Sequence, residues 1–250
     1  MKIADRIHIV GSGRQGFGLT DAYDCHVYLI DGGGEYALID AGGGRDLPGV
    51  IAQIEADGLD PAAVRQVLLT HAHADHAAGA AGLRARLGLR VLASAEVAGW
   101  VSAGDAAAAS LDAARRAGVY PEDFAYPPCP ADGTLADGDV VPVGDLRIEV
   151  VATPGHAAGH LAFALRPADA PQARPGIFTG DAFFHGGRIL LQHTWDCSLQ
   201  DSIRSVERLA ALDPEGLYPG HLTFSVRGAR RQLELALAHI ARLAPPPQLH

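Results

Sequence analysis

The sequence predicts an α/β fold, and three observations carry that prediction. Short apolar runs bounded by Gly-rich turns recur in both halves of the 250-residue chain. Between and after them lie stretches with apolar residues at helical spacing. Polar, titratable residues then gather just beyond the ends of the apolar runs, in bends built from Gly, Pro and Thr.

The elements follow in order. Arg6 to Val10, Cys25 to Ile30 and Tyr36 to Asp40 read as strands of a meander. Asp46 then caps a helix with Leu47, Val50, Ile51 and Ile54 on one face. Asp60-Pro61 restarts the chain toward the apolar run ending at Leu69. A helix is expected from Ala77 to Leu87 and a further strand over Leu89 to Ala93. Residues 95–130 break this rhythm. A helix is expected over Asp105 to Ala117, then an irregular stretch through Tyr120-Pro121, Tyr126-Pro127-Pro128 and Cys129-Pro130. The segment reads as an insertion, serving either as packing or a dimer contact, or as a wall over a substrate pocket.

The second half repeats the pattern, with strands over Val140 to Val143, Leu146 to Val151, Leu161 to Leu165 and Gly176 to Thr179. Two amphipathic helices follow, one with Leu199, Ile203, Val206 and Leu209 on a face, the other with Val226, Ala229, Leu233, Leu237 and Ile240. Leu59-Asp60-Pro61 and Leu212-Asp213-Pro214 echo each other ahead of His71 and His221. The expectation is a single domain over 1–243 with the insertion at 95–130, and a disordered tail at 244–250.

Composition narrows the function classes. A 48% hydrophobic fraction suffices for a buried core. The formal net charge is −9 and no basic cluster stands out, which argues against nucleic acid as a partner. No signal-peptide pattern and no membrane-length apolar run are present. Cys25, Cys129 and Cys197 are odd in number and widely spaced, which suits free thiols in a reducing cytoplasm. Gly11-Ser12-Gly13-Arg14-Gln15-Gly16 matches a dinucleotide fingerprint, but no helical stripe follows it, so it reads as a hairpin loop.

The chemistry is concentrated in Thr70-His71-Ala72-His73-Ala74-Asp75-His76. Three imidazoles and a carboxylate sit within six residues of one another after an apolar run. Imidazole and carboxylate are the usual ligands of zinc and its first-row relatives. Strand alternation would point His71 and His73 to one side, and the following turn would swing Asp75 and His76 round. His156, Asp181 and His221 each lie just past a short β segment, which brings the inventory to seven candidate ligands.

With Asp40 in Leu38-Ile39-Asp40-Ala41-Gly42, these five elements resemble, in order and over roughly residues 7 to 240, the metallo-β-lactamase-fold metallohydrolases of the glyoxalase II and lactonase branch. The resemblance implies an αββα sandwich of mixed sheets flanked by helices. It implies one metal held by His71, His73 and His156, a second held by Asp75, His76 and His221, and Asp181 bridging them. The metals would be two divalent ions, zinc by preference, with iron and manganese as alternatives. A metal-bound hydroxide would attack an ester, thioester or lactone carbonyl of a small-molecule substrate, with Asp75 aiming it. Asp40 would orient a ligand, and Arg14, Phe17, Phe184, His185 and His193 are candidate substrate contacts. His160 would be structural. The expected partner is a small molecule, with neither nucleic acid nor membrane, and a homodimer is allowed.

Departures from the family pattern temper the substrate. In true metallo-β-lactamases a Cys usually stands where Asp181 does, or the bridging ligand is missing, which argues against an enzyme specialised for β-lactams. Glyoxalase II carries a helical extension that grips glutathione, whereas about thirty residues follow His221 here. Acyl-homoserine lactonases carry a Tyr at the position of Phe184. Persulfide dioxygenases, which share the fold and bind one iron, carry Gly-Cys-Gly-Arg where this chain reads His185-Gly186-Gly187-Arg188. That oxidoreductase is the alternative reading, and a non-catalytic metal-binding protein the third.

Overall fold

The computed structural model describes residues 1–249. The chain forms two compact units, Met1–Leu135 and a second beginning at Ala136. Each contains one mixed sheet with its own helices.

In the first unit, β1 (Lys2–Ala4), β2 (Ile7–Gly11), β3 (Val27–Asp31) and β4 (Tyr36–Ile39) form an antiparallel meander. β5 (Val64–Leu68), β6 (Arg90–Ala93) and the short β7 (Gly133–Thr134) then add in parallel, giving the order β1-β2-β3-β4-β5-β6-β7. Parallel neighbours need crossovers, and helices supply them. α1 (Leu47–Ala56) joins β4 to β5. Asp46 accepts from the Gly49 amide at 3.0 Å at its start, and Val50 and Ile54 face inward. α3 (Ala80–Leu87) joins β5 to β6 and ends at Gly88, which adopts φ 68°. Val10, Leu29, Leu38, Val67, Leu83 and Val91 are among the core residues. Burial of each such aliphatic side chain is worth about 1.5–3 kcal/mol.

Three expectations are corrected in this unit. The helix expected from Ala77 to Leu87 is two helices, α2 (Ala74–Ala77) and α3, broken at residues 78–79. The Gly79 amide donates to Gly42 O at 2.9 Å, and Asp75 O accepts instead from the Cys25 amide at 3.2 Å, so tertiary partners take both ends of one helical bond. A Cβ at Gly79 would collide with the Ala41 carbonyl, so the crossing needs glycine. In the inserted segment, a helix not anticipated, α4 (Ala95–Ala103), starts at Ser94, whose Oγ accepts from the Val97 amide. The helix expected over Asp105 to Ala117 shrinks to α5 (Leu111–Arg116). Asp105 Oδ1 draws the Ala107 and Ala108 amides into a turn, and Ser110 adopts φ 56°. Residues 11–16 enter no helix. The chain doubles back as a loop in which Gly13 and Arg14 amides donate to Asp24 O and Ala22 O.

The second unit has the order β12-β11-β10-β9-β8, built from β8 (Val140–Val143), β9 (Leu146–Ala152), β10 (Leu161–Pro167), β11 (Gly176–Gly180) and β12 (Gly216–Pro219). Only β11 and β12 run parallel. β8 alternates exposed and buried residues, as an edge strand with one wet face does. Between β11 and β12 lies α6 (Leu199–Ala211), and after β12 lies α7 (Ala229–Ile240). The inward face of α6 differs from the expected stripe. Ser202, Ser205, Val206 and Leu209 are buried, while Leu199 is exposed. The serines can turn inward because their hydroxyls donate to Ser198 O and Pro154 O. On α7 the buried residues are Ala229, Leu233 and Ala236, and Val226 lies exposed ahead of the helix.

The tail also departs from expectation. The Ile189 amide donates to Pro247 O, the Leu249 amide donates to Ile189 O, Pro246 is buried, and Gln248 forms an isolated β-bridge with Ile189. His250 lies outside the described residues. Among the described residues no helix is long and apolar enough to cross a membrane, and Cys25, Cys129 and Cys197 are all free thiols.

Candidate metal centre

The chain leaves β5 at Leu68, three residues before His71, so strand alternation does not place the first two histidines. They lie in irregular chain, and His73 is the N-cap residue of α2. The rings are nonetheless gathered. The centroid of His71 is 4.6 Å from that of His73 and 4.1 Å from that of His76. α2 turns Asp75 and His76 toward the same place, with Asp75 Oδ2 and His76 Nε2 3.6 Å apart. All four residues are buried.

Asp40 organises this group. It follows β4 directly at φ 62°, a left-handed conformation uncommon outside glycine. That turn aims its carboxylate at the run. Oδ1 accepts from the Thr70 amide at 2.7 Å, and Oδ2 accepts from Thr70 Oγ1 at 2.9 Å and from His76 Nδ1 at 2.8 Å.

Proton accounting then assigns two tautomers. His76 Nδ1 carries its proton toward the carboxylate, which makes Nε2 the lone-pair nitrogen. The single Thr70 hydroxyl proton points at Asp40, so the 2.9 Å contact of Thr70 Oγ1 with His71 Nδ1 requires the proton to sit on that nitrogen. Nε2 of His71 is again the lone-pair atom. Histidine ligands anchored through the second ring nitrogen are the usual arrangement around a metal.

In the second unit the same device recurs. His156 Nδ1 donates to Leu190 O at 3.1 Å, which presents Nε2. Asp181 Oδ2 lies 3.7 Å from His156 Nε2 and 3.6 Å from His221 Nε2, both beyond direct hydrogen bonding. Ligand-to-ligand separations around a tetrahedral ion with bonds of about 2.0–2.1 Å are roughly 3.3 Å, so one carboxylate oxygen between two imidazoles is close to ion-binding spacing. His160 is spoken for. Its Nε2 accepts from the Asp181 amide at 3.3 Å and its Nδ1 meets Thr153 Oγ1 at 2.9 Å, so it shapes the turn that carries Asp181. Buried donor sets of imidazole and carboxylate in each unit fit a divalent cation.

Several residues near this chemistry carry no sequence signal for their roles. Thr70 precedes the histidines with nothing to reveal its relay to Asp40. Cys25 Sγ shares a cluster with Asp40 and His76, with donor atoms within 4.8 Å of one another. Burial pushes its thiol up to about 12, so it stays protonated. Asp24 is also buried, accepting from Thr20 Oγ1 and the Gly43 amide, and loss of solvent raises its carboxyl to about 6. Of the candidate substrate contacts, Arg14 lies over the Tyr23 ring at 4.7 Å. Phe17 stacks on His26 at 5.3 Å and stays 44% exposed. His185 and His193 are exposed, whereas Phe184 is buried and its backbone pairs with that of Arg188.

Residues 20–221 match the family model of the metallo-beta-lactamase superfamily. A hydroxyacylglutathione hydrolase of Acidiphilium cryptum is 33% identical over 196 residues, 78% of this chain and 62% of that protein, so the chain spans less than two thirds of that relative. The acyl-coenzyme A thioesterase MBLAC2 of Gallus gallus is 29% identical over 87% of this chain and 78% of its own length. A metallo-β-lactamase of Cronobacter sakazakii superposes with TM-score 0.69 at 25% identity, covering 97% of this chain and 86% of that one. Two mixed sheets flanked by helices are thus the α/β sandwich class that the sequence predicts. By the span of the family match, the chain belongs to the metallo-beta-lactamase superfamily.

Proposed function

We propose that the chain is a metal-dependent hydrolase that cleaves an ester, thioester or lactone bond of a small-molecule substrate. The observation that carries the proposal is the common anchoring of His71, His76 and His156 through Nδ1, which presents Nε2 in each case. The relatives point the same way: one is named a hydrolase and another a thioesterase.

The reading takes ligands from both units. His71, His73 and His156 would hold one divalent ion, zinc by preference, and Asp75, His76 and His221 would hold a second, with Asp181 available to both. Residues 1–243 then work as one domain. Bound there, the ions supply Lewis acidity, bringing the pKa of a coordinated water toward neutrality and polarising a carbonyl oxygen.

The chain's own groups supply direction. Asp75 holds the proton of the attacking water and orients its lone pair toward the carbonyl carbon. Asp40 keeps His76 in the ligating tautomer, and the Asp40–Thr70 relay does the same for His71. No side-chain nucleophile is needed. The Cys25 thiol is buried and protonated, so it does not compete for that role.

Elemental analysis of protein purified without chelator, followed by a panel of thioesters, lactones and aryl esters, tests the proposal. Two equivalents of divalent metal and an Asp75→Asn variant with at least a hundredfold lower kcat support it. One equivalent of iron with oxygen consumption on glutathione persulfide overturns it, as does full activity in Asp75→Asn.

A further inference from the structure

We propose that segment 95–130 braces the metal-binding run, and that Tyr126 is the positioning residue through which it acts. The inference rests on the metal-centre reading above. Tyr126 lies in the irregular stretch after α5, fifty-four residues from the run, and its hydroxyl donates to the Ala72 carbonyl oxygen at 2.8 Å in a buried hydrogen bond. Ala72 stands between His71 and His73. Its carbonyl falls between the end of β5 and the start of α2, where neither a sheet ladder nor a helix ladder takes it up. A buried carbonyl without an acceptor role costs more than the bond itself is worth, so the phenol fixes the backbone between two expected ligands. Desolvation pushes the Tyr126 phenol above its ordinary range, which keeps it a donor at any pH where the enzyme works.

The segment is built to hold that hydroxyl still. Phe124, two residues earlier, is fully buried and reaches the other chain section that matters. A Cβ on Gly43, three residues past Asp40, would lie 2.7 Å from its ring. The Phe124 ring also meets Tyr120 at 4.6 Å and Tyr23 at 5.9 Å between centroids. The Arg115 guanidinium on α5 donates to Phe124 O, and the Cys129 amide donates to Val101 O on α4 at 2.9 Å. The stretch 124–129 is therefore pinned by both helices of the segment, by α5 at Phe124 and by α4 at Cys129. It touches the chain just after Asp40 through Phe124 and the His71-Ala72-His73 backbone through Tyr126. Since His71 and His73 lie in no regular element, their spacing needs such an outside support. With the hydroxyl gone, the metal-free run can turn the Ala72 carbonyl elsewhere, and ion binding must turn it back.

The test compares chelator-stripped wild type, Tyr126→Phe and Tyr120→Phe for zinc affinity by competition with a chromophoric chelator. Tyr126→Phe is expected to bind zinc roughly five- to tenfold more weakly, the loss of one buried hydrogen bond's worth of preorganisation. Tyr120→Phe, which removes a hydroxyl from the same segment without touching Ala72, is expected to match wild type. Equal affinity in wild type and Tyr126→Phe overturns the brace. A wild type that takes up no divalent ion overturns the metal-centre reading, and the brace with it. Hydrogen exchange on unmodified protein tests the coupling even if Tyr126→Phe does not fold. By reciprocity, adding zinc should slow exchange at 122–129 as well as at 71–76, and protection confined to 71–76 overturns the brace.

Discussion

Asp40→Asn is the most incisive perturbation of this centre, because it changes one atom's hydrogen-bonding sense and nothing in volume. The carboxylate receives three protons, from the Thr70 amide, Thr70 Oγ1 and His76 Nδ1, at 2.7, 2.9 and 2.8 Å. The asparagine oxygen can keep the amide. Its NH2 group then faces two former donors. To avoid the clash, His76 Nδ1 must accept, which moves its proton to Nε2. Thr70 Oγ1 must accept as well, and its own proton turns to His71 Nδ1, which drives the His71 proton to Nε2. Both nitrogens needed for a metal are then protonated. Restoring each ligating tautomer breaks one buried hydrogen bond, at about 1–1.5 kcal/mol apiece. Together these weaken ion binding by roughly 30- to 150-fold, in line with the general effect of removing a group that orients a ligand. The assay is zinc competition against a chromophoric chelator at pH 7.5, with thermal melting to verify the fold. Thr70→Val, which disturbs only the His71 relay, should fall between the variant and wild type. An Asp40→Asn protein binding zinc within threefold of wild type would refute the tautomer argument.

Further expectations concern the scaffold. Asp24 carries a folded-state carboxyl raised from 3.8 to about 6, so its ionised form is the disfavoured one in the native protein. Its contribution to stability is fully present below pH 3.8 and is lost as pH rises through about 6, an effect of about 3 kcal/mol at most. Asp24→Asn keeps an oxygen for the Gly43 amide, so in denaturant melts it should be the more stable protein at pH 8 and lose that advantage by pH 4; equal stability at pH 8 contradicts the assignment. Gly79→Ala forces a methyl into the Ala41 carbonyl and should lower stability by about 3 kcal/mol or more, read as an unfolding midpoint. Thiol titration of native protein should show one accessible group, Cys197, which is half-buried. Cys25, buried and with its thiol pushed to about 12, should react only on unfolding. Rapid modification of all three would contradict the burial.

The sequence by itself determined most of the strands and the chemical inventory. Apolar periodicity located most of the strands, Asp46 marked the helix start it caps, and the density of imidazole in residues 71–76 announced a candidate site before any coordinate. These signals are local: a side chain's spacing, a cap, a turn residue. What the tertiary structure alone decided is how the inventory is held. No local pattern tells that β5 stops at Leu68, that Gly79 leaves its helix for Gly42, or that Asp40 turns left-handed so that one carboxylate sets two imidazole tautomers. Nor does any pattern connect Tyr126 with Ala72 across fifty-four residues. Backbone groups in irregular chain must find partners wherever the fold brings them, and buried protons settle only when every donor and acceptor around them is in place. Residues 71–76 could therefore be read from the sequence as candidate ligands, while their orientation depends on groups far away along the chain.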